Sequence, residues 1–99
     1  HSRDAQHMLY HLTYGRNTPT GRVSDLDWQM YCQEVLDANF DGYTVQDATG
    51  TWKSDLEDTK IVSIDTRNRD KIEGVAELYK EMFDQDAVGL FCTPSMEFI

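Results

Sequence analysis

Two cysteines, two prolines and nine lysines or arginines are few for 99 residues, and no apolar run is long enough to cross a bilayer. Cys32 and Cys92 lack the spacing of a metal-ligand set and read as buried apolar fillers rather than a disulfide pair. The basic residues face 18 acidic ones, and the formal charge of −9 repels phosphate backbones and anionic lipid. Nucleic acid and membrane surfaces are therefore not expected as partners. A cation, a basic protein, or a DNA-binding protein decoyed by an acidic surface suits the charge better. No positively charged leader precedes Met8, which places the protein in the cytoplasm as an expectation. A P-loop, a zinc-ligand spacing, a Gly-x-Ser-x-Gly elbow and a cysteine-protease signature are also missing. No metal or cofactor is expected, and any catalysis must rest on carboxylates, aromatics and backbone groups.

His1 to His7 (HSRDAQH) reads as a tag remnant, leaving residues 8–99 as one domain. Met8 to Tyr14 alternates like a strand, with Tyr10, Leu12 and Tyr14 on one face and Leu9, His11 and Thr13 on the other. Gly15 to Gly21 reads as loop. Ser24, with Asp27 three residues on, resembles a capping box, and Trp28, Tyr31, Cys32, Val35 and Leu36 form the stripe of a helix running to about Ala38. Tyr43 to Ala48 has strand spacing, Thr49-Gly50 is a turn signal, Thr51 to Lys53 starts the return, and Ser54 to Asp58 is polar loop. Lys60 to Thr66 is the clearest strand. Asn68 or Asp70 caps a second helix, striped by Ile72, Val75, Ala76, Tyr79, Met82 and Phe83, and Val88 to Thr93 is a last strand.

This order, strand-helix-strand-strand-helix-strand, predicts an α+β ferredoxin-like βαββαβ sandwich, both helices on one face of a four-stranded antiparallel sheet. The other face then carries Leu9, His11, Thr44, Gln46, Ile61, Ser63 and Phe91. So apolar a mixture favours a homo-oligomer built sheet to sheet, or a bound partner.

Candidate chemistry concentrates in Gly42 to Lys60, where Trp52 lies close to Asp55, Glu57 and Asp58. Carboxylates beside an aromatic ring can hold a cation, although a wet acidic loop with Trp52 folded onto the sheet has the same sequence. Arg16 and the glycine-bounded loop around it could bind an anion or simply connect strand to helix. His11, in mid-strand, suits a structural hydrogen-bonding role.

The residues Tyr14-Gly15-Arg16, Pro19, Val23-Ser24, Trp28, Gly42-Tyr43-Thr44-Val45, Asp47-Ala48, Gly50, Trp52 and Lys60-Ile61-Val62 resemble an uncharacterised bacterial family of small domains. More distantly, Gly42-Tyr43, Asp47, Thr49-Gly50 and Glu57-Asp58-Thr59-Lys60 resemble the phage S-adenosylmethionine lyases, long called hydrolases and associated with anti-restriction. That resemblance implies a ferredoxin-like trimer binding its substrate between subunits and releasing methylthioadenosine and homoserine lactone, in the host cytoplasm if phage-encoded. It makes Glu57 the catalytic glutamate and places Trp52 where that family has a functional tyrosine, a departure because indole has no phenolic hydroxyl. Tyr43, Asp47, Asp58 and Arg16 are then substrate-binding candidates. The competing expectation is a non-catalytic acidic module, such as a phage inhibitor of a host defence or nucleic-acid enzyme.

Overall fold

The computed structural model describes residues 7–99, with every side chain among them except that of Trp52. His1 to Gln6, most of the expected remnant, lie outside the described residues. His7 contacts the Asp65 carboxylate (Nδ1 to Oδ1 2.7 Å).

Strand β1 (Met8–Gly15) buries Tyr10, Leu12 and Tyr14 and leaves the alternate residues half-covered, as a strand packed on one side must. The next segment is not irregular loop: it folds into a miniature hairpin, β2 (Asn17–Thr18) and β3 (Gly21–Arg22). Its return passes through Gly21 at φ 154°, a conformation that side chains resist. Helix α1 (Asp25–Tyr31) starts at the expected cap, with Ser24 Oγ accepting from the Asp27 N–H. It widens into a π-helical stretch, Cys32–Leu36, and ends in α2 (Asp37–Asn39).

The following hairpin corrects the sequence reading. Strand β4 (Thr44–Trp52) runs through Thr49-Gly50 without turning, and β5 (Asp55–Thr66) begins where polar loop was expected. The reversal occurs at Lys53 and Ser54, at φ 50° and 70°, with Trp52 paired to Asp55. Two positive-φ residues between paired strands match the right-handed strand twist, even though neither is glycine or asparagine. Helix α3 (Arg69–Phe83) is capped by Asn68, whose Oδ1 accepts from the Lys71 N–H, and β6 (Gly89–Pro94) closes the chain's regular structure.

The sheet is antiparallel throughout, in the order β4-β5-β1-β6. Its inner face (Tyr10, Leu12, Tyr14, Val62, Ile64) shares one buried cluster with Trp28, Tyr31, Val35 and Leu36 before β4 and with Ile72, Val75 and Tyr79 of α3. Met82, expected on the α3 stripe, is exposed, since the core ends at Tyr79 and half-buried Phe83. Neither cysteine is a buried filler: Cys32 is half-buried, and Cys92, on the edge strand β6, is exposed. Among the described residues no helix is long and apolar enough to cross a membrane.

At the centre Tyr14 makes edge contacts with Trp28, Tyr31 and Tyr79, its ring centroid 4.7 to 5.4 Å from theirs. The phenols are satisfied in place: Tyr31 Oη donates to the Val75 carbonyl (2.7 Å) and meets Tyr14 Oη (2.8 Å). Burial pushes the Tyr14, Tyr31 and Tyr79 hydroxyls well above the ordinary phenol range. The folded state therefore holds these protons where the unfolded chain releases them. Their contribution is complete below the unfolded phenol pKa of about 10 and declines as pH rises toward the folded values. Urea midpoints should accordingly fall steeply above about pH 10, and a Tyr31→Phe variant should show a shallower decline over the same interval.

Candidate functional site

Pairing with period two places adjacent residues of β5 on opposite sides of the sheet. Glu57, Thr59, Ile61 and Ser63 face outward, opposite Gly50, Ala48, Gln46 and Thr44 of β4, while Asp58 and Lys60 face the helices. The candidate residues are divided by the same rule.

On the helix side, Arg16, Asp47 and Asp58 join Asp25 and Lys60 around a shallow cleft. Arg16 is only 5 % exposed. Its Nε and Nη2 both donate to the Val23 carbonyl (3.0 and 2.8 Å), and Nη2 pairs with Asp25 (2.7 Å). That guanidinium, with its hydrogen bonding and neutralising Asp25, holds the Asp25 carboxyl below the usual carboxylate range. Asp58 pairs with Arg22 (2.9 Å), and Lys60 pairs with Asp47. Three cations thus meet three carboxylates. A buried guanidinium with these partners locks the β2–β3 hairpin to the start of α1, a structural duty that spends its charge internally.

Tyr43 stands at the other end of β4, about 20 Å from Gly50 by strand rise, and its hydroxyl donates to Asp37 (2.7 Å). Burial and this carboxylate raise its pKa. The structure does not bring Tyr43 to either carboxylate group. The Trp52 side chain lies outside the described structure; its backbone ends β4, paired with Asp55.

The outward cleft has a different chemistry. It measures about 430 Å³ and is walled by β1, β4, β5 and the α3–β6 connector, including Thr13, Gly15, Gly50, Glu57, Thr59 and Gln85. Glu57 is half-buried here, and its Oε2 accepts the Asn17 N–H at 2.9 Å. The carboxylate lies directly over Gly15, where a Cβ would come within 2.6 Å of Oε2 and 2.8 Å of Cδ. Glycine at 15 therefore makes the seat that Glu57 occupies. At the far wall a Cβ on Gly89 would fall 2.1 Å from Thr13 Oγ1, so small residues leave room for backbone and hydroxyl groups to line the floor.

Farther along this face His11 is fixed by Ser63 Oγ at Nδ1 (2.9 Å) and Thr93 Oγ1 at Nε2 (3.1 Å), with its ring stacked on Phe91 at 4.5 Å. Both nitrogens are engaged, in keeping with a structural role. Gly15, Asn17 and Gln85 were not singled out by sequence reasoning as partners of Glu57. A hint for Gln85 was its position just past the end of a strongly striped helix.

Nearly all of this architecture falls within one family match. A family model described as "Protein of unknown function (DUF3574)" matches residues 9–98. No curated protein matches the chain.

Proposed function

The chain belongs to the DUF3574 family of proteins of unknown function, and we propose that its outward cleft is a receptor for a small organic cation, cleaving S-adenosylmethionine or a close conjugate as a lyase. The observation that carries the reading is the Glu57 carboxylate, seated over Gly15 and anchored by the Asn17 N–H at the wall of an open cleft. The element order and the sheet order β4-β5-β1-β6 support a ferredoxin-like sandwich, the fold that the lyase resemblance implies.

The reaction asks little of a protein beyond positioning. The substrate's own carboxylate oxygen attacks its γ-carbon, the C–S bond breaks, and the electron pair passes to sulfur. Methylthioadenosine leaves and homoserine lactone remains. The sulfonium charge disappears along this path, so a carboxylate beside it would favour the ground state. Glu57 serves better by pairing with the α-ammonium, whose charge persists, and by repelling the substrate carboxylate toward the γ-carbon. Holding that folded conformer can supply most of the acceleration. Trp52, at the hairpin end, would stack on the adenine, whose ring persists through the reaction, rather than on the vanishing sulfonium charge. Copies of the chain would meet over the outward face around Leu9, Ile61 and Phe91, as a trimer by the same resemblance, with the cleft at the contact.

Purified protein incubated with S-adenosylmethionine should release methylthioadenosine, and Glu57→Gln should reduce the rate by about 10²- to 10³-fold. The amide can still accept the Asn17 N–H, so melting behaviour should stay close to that of the parent. Failure of the parent protein to produce methylthioadenosine, while folded, overturns the lyase reading.

A further inference from the structure

Asn17 is held at both of its backbone groups. Its N–H donates to Glu57 Oε2 at 2.9 Å, and its carbonyl accepts from Gln85 Nε2 at 2.6 Å. Gln85 arrives there because α3 stops abruptly. Asp84 takes the left-handed conformation (φ 54°), and the N–H groups of Asp84 and Gln85 both return to the Lys80 carbonyl. The chain is thereby turned across the end of β1, and the Gln85 carboxamide also reaches the Phe83 carbonyl (3.3 Å).

The strand ladder cannot do this work alone. Register between β1 and β5 ends at the Gly15–Thr59 pair, after which one backbone bond, from Arg16 N–H to Asp58 O (3.1 Å), continues the contact. Residues 16 and 17 are also tied to the β2–β3 hairpin, through the Val23 N–H to Arg16 carbonyl bond (2.7 Å), the Arg16 guanidinium and the Asn17–Arg22 pair, while α3 and its exit add two grips: Tyr79 Oη donates to Gly15 O (2.8 Å), and Gln85 holds the Asn17 carbonyl. Gln85 also lines the cleft with Glu57.

We infer that Gln85 is a positioning residue of the outward cleft, holding the Glu57 carboxylate over Gly15 by way of the Asn17 backbone. The grip requires a donor. Gln85→Glu preserves length but turns a carboxylate oxygen toward the Asn17 carbonyl, so it should behave like Gln85→Ala. A residue present only to fill space would tolerate Gln85→Glu.

Hydrogen exchange of the Asn17 amide reads the contact without any ligand. In Gln85→Ala and Gln85→Glu it should quicken about tenfold, with the urea midpoint little changed. Unchanged Asn17 exchange in both variants, or parent-like exchange in Gln85→Glu, overturns the inference. The catalytic arm rests on the proposed function and uses S-adenosylmethionine as the probe. There both variants should lose about tenfold, in kcat more than in KM, as misalignment does. Loss confined to KM would mean that Gln85 contacts the ligand rather than positioning Glu57, and would overturn the assignment. If the parent protein cleaves no S-adenosylmethionine, the lyase reading falls while the exchange measurement still decides the role of Gln85.

Discussion

Gly15→Ala is expected to lower the proposed S-adenosylmethionine cleavage about a hundredfold while leaving the protein folded. The added methyl would sit 2.6 to 2.9 Å from the Glu57 carboxyl atoms, well inside contact distance. Those atoms are the tip of a flexible side chain at a half-buried position, so the carboxylate can swing away at small cost to the fold. It cannot swing away and keep its place over Gly15 or its bond to Asn17. A displacement of about 1 Å is enough for a loss of this size when catalysis depends on alignment. Assaying methylthioadenosine release beside a thermal melt checks both halves of the expectation. An active Gly15→Ala protein would show that the seat of Glu57 is irrelevant to turnover.

Tyr31→Ala should have the largest effect on stability, about 3–5 kcal/mol by analogy with other large aromatic truncations. The side chain is fully buried, touches Tyr14, Trp28, Tyr79 and Phe83, and carries the hydroxyl that joins Val75 of α3 to Tyr14 of β1. Removing it opens a cavity between the helices and the sheet, and leaves the Tyr14 hydroxyl without its partner. A domain of ordinary stability, about 5–15 kcal/mol, loses a fifth or more of its margin. Tyr31→Phe retains the packing and isolates the polar share, about 1–3 kcal/mol, which falls mainly on the Tyr14 hydroxyl because the Val75 carbonyl keeps its helical bond within α3. Urea titrations of both variants give the two figures, and equal midpoints for them would contradict the division.

Strands and helices with one buried face were legible because that face imposes its period on the sequence. Tyr10, Leu12 and Tyr14 alternate, and Ile72, Val75 and Tyr79 recur at helical spacing, each for the same reason. The β4–β5 turn was not legible. Thr49-Gly50 looks like a reversal, but Gly50 is small because it faces Glu57 and Thr59 across the ladder, whereas Lys53 and Ser54 turn without the residues that positive φ favours. The candidate carboxylates were grouped by nearness in sequence, which strand geometry divides. Arg16 resembled an anion binder, yet its partner Asp25 lies on a different element and appears only after folding. Gln85 escaped notice, and Gly15 was read only as a loop boundary and part of a family pattern, because their value lies wholly in what a distant part of the chain places against them.

Glu57 and Asp58 share a peptide bond but address different audiences, with one sheet's thickness between them. Asp58 answers to Arg22 and the internal lock; Glu57 faces the outward cleft, where the proposed ligand would enter. Substitutions on one strand can therefore retune recognition at every second position while the intervening positions preserve the scaffold. Relatives of this chain could diverge in what they bind without renegotiating how they fold.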